Sequence, residues 1–539
     1  MRAVLTLHTP KKAKEYYEKG LWLDDTFYSV LARNAKHHGK VAALVDAMLT
    51  LTWEDLLIRV EALAAHLEKL GLRSGDRVSI WMSDRVETVI AFLACSRLEL
   101  VCNPSLHRTY TCSEIVGLLK QMDTVALITE AGWGADRAQV DFEALLKDLR
   151  GLKAVLTPAN FPTKAHKPLA APSSDPDALC YLAFTSGTTG VPKCVMHSAN
   201  TLLSNARDLV HTWKIDQETR LLTLSPLSHH IGWVAVGQWL VTGCRLILGA
   251  PPTGYTPLDW ILENGASYVM GVPTHAMDVL GEQKARGLDR LGLVDTFYMA
   301  GAPIPKIVAE EFVKQGIRPQ NVYGMTENSS HQFTHPSDTV GSWIETCGRG
   351  GPGYEVKIVS AEDVDVDAAP GEVGQIAGRG ANLMLGYFAN QEATERSFNR
   401  DGWFLSGDLG FIDACGNLRI VGRLKDLIIR GGHNIFPAQI EALALRHPRI
   451  KKVAAFPIPD ARLGEKVCLA IQGDIDAEDV LPHLDEQGLS KYDMPEWVAF
   501  VTKFPLTPSG KILKRELINM HKSGVVVPLA VRFEQRTEA

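Results

Sequence analysis

Short apolar, β-branched segments alternate with longer helical patterns over most of this chain, and that alternation restricts the fold more than any single motif does. TVALITE is followed by the helical pattern DFEALLKDL and then by AVLTP. Strands separated by helical crossovers pair in parallel and need helices on their faces, so an α/β protein of layered sheets and helices is expected. No period of about 20 to 50 residues recurs, which removes solenoids and propellers. At 539 residues the chain also exceeds what one hydrophobic core organises, so at least two domains are expected.

The segment from Ala159 to Ala178 is rich in Pro, Ala, Ser and Lys and reads as an exposed connection running into the strand LCYLAFT. After Arg423 the pattern changes. A short charged piece precedes LIIRGGHNIFPAQIEALALRHP, where Pro437 suits the first turn of a helix with Ile440, Leu443 and Ala444 on its apolar face. VAAFPI, VCLAIQ and a closing helix after Ser509 complete a small α+β unit. The expected division is a large domain over 1–423 and a smaller, mobile one over 424–539.

Hydrophobic residues at 46% and charged residues at 22% exclude a largely disordered or coiled-coil chain. Acidic residues outnumber basic ones by 62 to 56, so no positive field recruits nucleic acid or anionic lipid. The longest apolar stretches, such as Thr88 to Cys95, are too short for a bilayer, so no stable membrane insertion is expected. The opening residues lack an apolar core followed by a small-residue cleavage site, and a cytoplasmic location is the resulting expectation. Nine cysteines are scattered singly without a CxxC pair, which fits reduced core thiols better than a disulfide framework or zinc site.

FTSGTTGVPK, from Phe184 to Lys193, lies between a strand pattern and a helical pattern that begins near Ser198. Gly187 and Gly190 free the backbone to wrap an anion, Thr185, Ser186, Thr188 and Thr189 add hydroxyl donors, and Lys193 adds a charge. The loop lacks the GK[ST] ending of a Walker motif, so a P-loop NTPase is excluded. On loop chemistry alone, a flexible surface turn stands beside the polyphosphate reading.

The ten-residue string resembles the signature of the adenylate-forming superfamily, which includes acyl-CoA synthetases, firefly luciferase and peptide-synthetase adenylation domains. Further family-like motifs follow in order: PLSHHIG, AGAP, NVYGMTE, SGDLG, GRLKD and PSGKILK. CNPSLH, YVMGVPTHAMD and LSKYDMPE are most similar to the cyclohexanecarboxylate-CoA ligase type. The resemblance implies joining a carboxylate to ATP, release of pyrophosphate, and displacement of AMP from the acyl-adenylate by the thiol of coenzyme A. The implied cofactors and partners are ATP, Mg²⁺, CoA and a small carboxylic acid, with homo-oligomer formation left open.

By the same resemblance, Lys511 bridges the carboxylate and the α-phosphate during adenylation, Thr326 donates to that phosphate, and Glu327 holds Mg²⁺. For Thr326 and Glu327 a helix N-terminus is the competing structural reading. Asp408 is implied to bind the ribose hydroxyls and Arg423 the ribose or a phosphate. Tyr323 would cover one face of adenine, with Gly301, Ala302 and Pro303 against the other and Asn321 at its amino edge. His229 stands between the acyl pocket and the thiol channel, with His230 packing behind it. Lys425 is the implied hinge about which the small domain turns, exchanging Lys511 for Gly431 and Gly432 at the pantetheine channel.

The implied acyl pocket comprises Ile231, Trp233, Met270, Val272, Ala300, Gly324, Met325 and His331 together with His229. It contains no acid to pair with an ammonium, which disfavours an α-amino acid substrate. A cyclohexanecarboxylate-like acid is expected, with benzoate-like and medium-chain acids as competitors and a carrier-protein loader or a non-catalytic nucleotide binder as alternatives. Three departures from the usual pattern bear on nucleotide packing and CoA contact: Cys194 after the loop lysine, Ser406 before Gly407, and His433 after the glycine pair.

Overall fold

The computed structural model describes residues 8–164, 169–172, 175–185, 192–506 and 512–532. Two compact units emerge: residues 1–304, 308–355 and 379–397 form the first, and 305–307, 356–378 and 398–539 the second.

In the first unit, among the described residues, an eight-stranded and a seven-stranded sheet carry the core. Thr296–Met299 pairs in parallel with Tyr268–Gly271 on one side and Arg318–Met325 on the other, as the alternation of strand and helix requires. LCYLAFT forms the strand Leu179–Thr185, antiparallel to Lys193–Ser198 and in parallel contact with Val101–Asn103. The apolar stretch around Thr88 to Cys95 lies in a helix, Val86–Arg97, buried along its whole length. Its lack of a polar face follows from that surrounding. Among the described residues no helix is long and apolar enough to cross a membrane.

Ser198 caps the helix Ala199–Trp213 by accepting the Thr201 N–H, and Thr201 returns the bond to the Ser198 N–H. This reciprocal box satisfies two donors that a helix start would otherwise leave open. It turns the strand Lys193–Ser198 directly into a helix.

The second unit contains the antiparallel hairpin of Phe404–Ile412 with Leu418–Arg423 and a separate sheet built on Ile450–Asp460 and Gly464–Gly473. Pro437 opens the helix Pro437–Ala444, whose Ile440, Leu443 and Ala444 are buried as their spacing predicts. A mixed α/β chain with a large first unit and a smaller second one is therefore observed.

Candidate active site

The antiparallel strands Arg318–Met325 and Ser329–Phe333 meet at a tight turn, and Thr326 and Glu327 lie in it. They do not open a helix. A Cβ at Gly324 would fall 1.7 Å from the Ser329 carbonyl oxygen, so only glycine lets the two backbones cross there. Asn328 closes the turn by accepting the Met325 N–H at 3.1 Å on its side-chain oxygen.

Three side chains or backbone groups hold this turn from behind. The Tyr387 hydroxyl donates to Glu327 Oε1 at 2.8 Å, and the Met384 N–H donates to the Glu327 carbonyl at 2.7 Å. Burial, reinforced by the Glu327 charge, pushes the Tyr387 hydroxyl far above its ordinary range, so it stays protonated and donates. Lys193 Nζ lies 4.5 Å from the centre of the Tyr387 ring. Tyr387 thus meets a cation over its ring and a carboxylate at its hydroxyl. Fully buried His197 is the third support: its Nε2 is 2.7 Å from the Thr326 carbonyl.

Around the mouth of the helix His230–Thr242, His229 occupies the cap position and stacks on His107 at 4.2 Å. Desolvation, then the neighbouring His229, lowers His107 to about 3, so its ring is neutral at physiological pH. The Asp84 carboxylate accepts the Leu227 N–H at 2.8 Å and anchors the loop leading to His229. His230 bridges the Tyr181 hydroxyl at 3.2 Å and Ser329 Oγ at 2.9 Å, which makes it a packed, hydrogen-bonded residue as expected.

Of the expected acyl-pocket residues, Ile231, Val272, Gly324 and Met325 are partly accessible, while Trp233, Met270 and Ala300 are buried. Trp233 packs on Phe92 at 4.3 Å and donates its indole N–H to the Leu227 carbonyl at 2.5 Å. His331 is buried between the rings of Tyr323 and Tyr354, at 5.3 and 4.3 Å, and neither ring nitrogen has a hydrogen-bond partner among the described residues. On the expected adenine side, Tyr323 is partly accessible, and Ala302 and Pro303 are exposed. Gly301 turns the chain at φ +88° after the strand Thr296–Met299. Asn321 is buried, its side-chain oxygen 3.7 Å from the Cys347 thiol.

Thr185 ends its strand opposite Lys193, with Oγ1 3.5 Å from the lysine carbonyl. Ser186, Gly187, Thr188, Thr189, Gly190 and Lys511 lie outside the described residues.

In the second unit Asp408 and Arg423 are cross-strand partners joined by a 2.9 Å ion pair. Ser406, in place of the usual threonine, still donates to the Ile376 carbonyl at 2.7 Å and accepts the Asp408 N–H at 3.0 Å. Lys425 lies in the single turn Leu424–Asp426 that follows this hairpin. Gly431 and Gly432, at φ +60° and +86°, form the two-residue turn between Ile428–Arg430 and His433–Ile435. That turn needs positive φ at both positions, which two glycines supply without strain. His433 is held by Asp493 at 2.8 Å. Among the described residues no group of three acidic, histidine or cysteine side chains forms a metal cage.

The match to known proteins then decides between a nucleotide-binding fold of unknown chemistry and an established enzyme class. Residues 31–388 match the model of the AMP-binding enzyme family, and residues 439–511 match its C-terminal domain. The chain belongs to the AMP-binding enzyme family. The medium-chain fatty-acid–CoA ligase of Escherichia coli (strain K12) is 29% identical over 95% of this chain and 93% of its own length. A mitochondrial medium-chain acyl-CoA ligase of Homo sapiens is 30% identical over 87% of this chain and 82% of its own length. In structure, o-succinylbenzoate CoA synthetase from Bacillus subtilis, solved with its acyl-adenylate intermediate, superposes with a TM-score of 0.80 at 25% identity. It covers 92% of this chain and 98% of that one. The chain is thus an adenylate-forming enzyme of the acyl-CoA ligase class, as the motifs imply. The finer resemblance to cyclohexanecarboxylate-CoA ligases is not among these matches.

Sequence reading did not single out Tyr387, His197, His107 or Asp84. Only His197 carried a local signal, since it stands two residues from Val195 and four from Lys193 on one face of the strand Lys193–Ser198.

Proposed function

We propose that this enzyme activates a compact hydrophobic carboxylic acid of the cyclohexanecarboxylate type as its acyl-adenylate and transfers the acyl group to coenzyme A. The Thr326–Glu327 hairpin, with Tyr387 on the carboxylate and Lys193 over the Tyr387 ring, is the observation that carries this reading. A carboxylate is a poor electrophile, and its anhydride with AMP supplies the leaving group. Its oxygen attacks the α-phosphorus, the bond to the β-phosphate oxygen breaks, and pyrophosphate leaves. Negative charge spreads over the α-phosphoryl oxygens, where Thr326 donates and Lys511 is brought in by the small domain to donate as well.

Glu327 is a hard oxygen donor and suits Mg²⁺, which when bound would offset the triphosphate charge. Asp408 and Arg423 hold the ribose, and Tyr323 with the Gly301–Pro303 turn holds adenine. In the second half-reaction the small domain turns about Lys425, and the Gly431–Gly432 turn guides the pantetheine thiol past His229 to the acyl carbonyl. Every candidate acyl-pocket side chain is apolar, aromatic or neutral, which favours an uncharged ring or short chain over an amino acid. Aryl and medium-chain acids form the second reading, favoured by what the matched relatives carry in their names.

The test is a panel of cyclohexanecarboxylate, benzoate, salicylate, octanoate and several α-amino acids, incubated with ATP, Mg²⁺ and CoA and scored for AMP and free acyl-CoA. Highest turnover on an alicyclic acid is expected. Turnover confined to amino acids, or AMP release without acyl-CoA, would contradict the reading.

A further inference from the structure

We infer that His197 is a positioning residue for adenylation: its Nε2–H fixes the Thr326 carbonyl and thereby the hydroxyl presented to the α-phosphate. The inference rests on the role proposed above for Thr326. A carbonyl oxygen only accepts, so at 2.7 Å the proton must be on Nε2. Nδ1 is then the acceptor in the neutral ring, and Thr201 Oγ1 lies 3.0 Å from it. Burial lowers the imidazole to about 4 and keeps it neutral at working pH, although the bond to Thr326 opposes that shift.

The ring lies nearly parallel to that of His230, 5.6 Å away at 22°, and His230 itself reaches Ser329 just beyond the turn. Thr326 in the turn and Ser329 just beyond it are therefore each held by an uncharged imidazole. Lys193 and His197 are four residues apart in one strand, so both point to the same face. From that face Lys193 sits over the ring of Tyr387, which holds Glu327, while His197 holds Thr326. One strand face thus supports two consecutive residues of the site, and the same strand leads out of the phosphate loop.

The test compares His197→Phe, which keeps the ring but loses the donor, with His197→Gln, whose amide can donate from the same end of the side chain. In acid-dependent exchange of pyrophosphate into ATP, the Phe variant should lose about 10- to 100-fold, mostly in kcat. Thioester formation from supplied acyl-adenylate should stay within about threefold of the wild type, and Gln should recover most of the exchange. Gln performing no better than Phe, or equal loss in both half-reactions, would overturn the inference. If the Phe variant does not fold, Thr201→Val decides: the ratio of exchange to thioester formation should fall, and an unchanged ratio would overturn the proposal. Wild-type protein that exchanges with none of the acids would sink the proposed function itself. Normal exchange by the wild type and by His197→Phe would sink only the role of His197.

Discussion

The Thr326–Glu327 turn and the Asp408–Arg423 hairpin each hold an acid in a set place, by opposite means. Glu327 meets a neutral tyrosine hydroxyl inside the first unit, with its own carbonyl and that of Thr326 tied by buried N–H groups. Asp408 in the second unit meets an arginine whose side chain is 43% exposed. Buried hydrogen bonds, here one of them to a carboxylate, cost much to break and define one geometry. Asp408 is itself buried, so only the cation of this pair faces water, where its charge is partly screened. The first arrangement suits a group that must be in place before charge develops, and the second a group that takes hold of an incoming nucleotide.

Lys511→Ala should sharpen this contrast most. Acyl-adenylate formation is expected to fall by about a thousandfold, with thioester formation from supplied acyl-adenylate nearly intact, as the loss of one donor to the transition-state charge would give. Equal loss of both steps would remove the division of labour. Tyr387→Phe comes next: it leaves Glu327 without its donor, and exchange should drop by about tenfold with a raised Mg²⁺ requirement. An unchanged Mg²⁺ titration would show that the Tyr387 bond has no part in presenting the carboxylate. Arg423→Gln should cost only a few-fold, as a rise in KM for ATP with kcat preserved. A large loss in kcat would mean that the exposed pair is as rigid as the buried one.

The smallest effect is on stability. Desolvation holds His107, His230 and His331 at about 3 and His197 at about 4, below the 6.5 of an exposed imidazole. A histidine depressed in the folded state gives its full stabilisation above 6.5 and loses it as pH falls toward the folded value. Asp84 and Asp208, raised to about 6 by burial, act in the opposite sense and stabilise as pH falls from 6 toward 3.8. Four histidines against two acids leave a net loss on acidification, with a slope of about 1.4 kcal/mol per pH unit for each net proton. Thermal midpoints at about pH 7 and about pH 5 check this, and a higher midpoint at the lower pH would contradict it.

The local parts of the design were readable from the residues alone. LCYLAFT, the helix start near Ser198 and the helix opened by Pro437 all rest on neighbours within one turn or one strand, so their periodicity reports them. Gly431 and Gly432 stand in a loop whose residue types are dictated by φ. Tyr387 is different. It meets Glu327 through pairing of Gly386–Tyr387 with the strand Lys193–Ser198, and a tyrosine used in this way has the same local pattern as one that merely packs. Thr326 and Glu327 suited a helix start equally well by residue preference. The hairpin between Arg318–Met325 and Ser329–Phe333 decided their setting, and strand preference depends on packing context more than on the residues themselves.

Acid-dependent exchange of labelled pyrophosphate into ATP, run without coenzyme A, tests the central claim most directly. Exchange that requires a hydrophobic carboxylic acid and disappears in Lys511→Ala is the result this account predicts. Acyl-CoA made by a protein that shows no such exchange would contradict an adenylate intermediate.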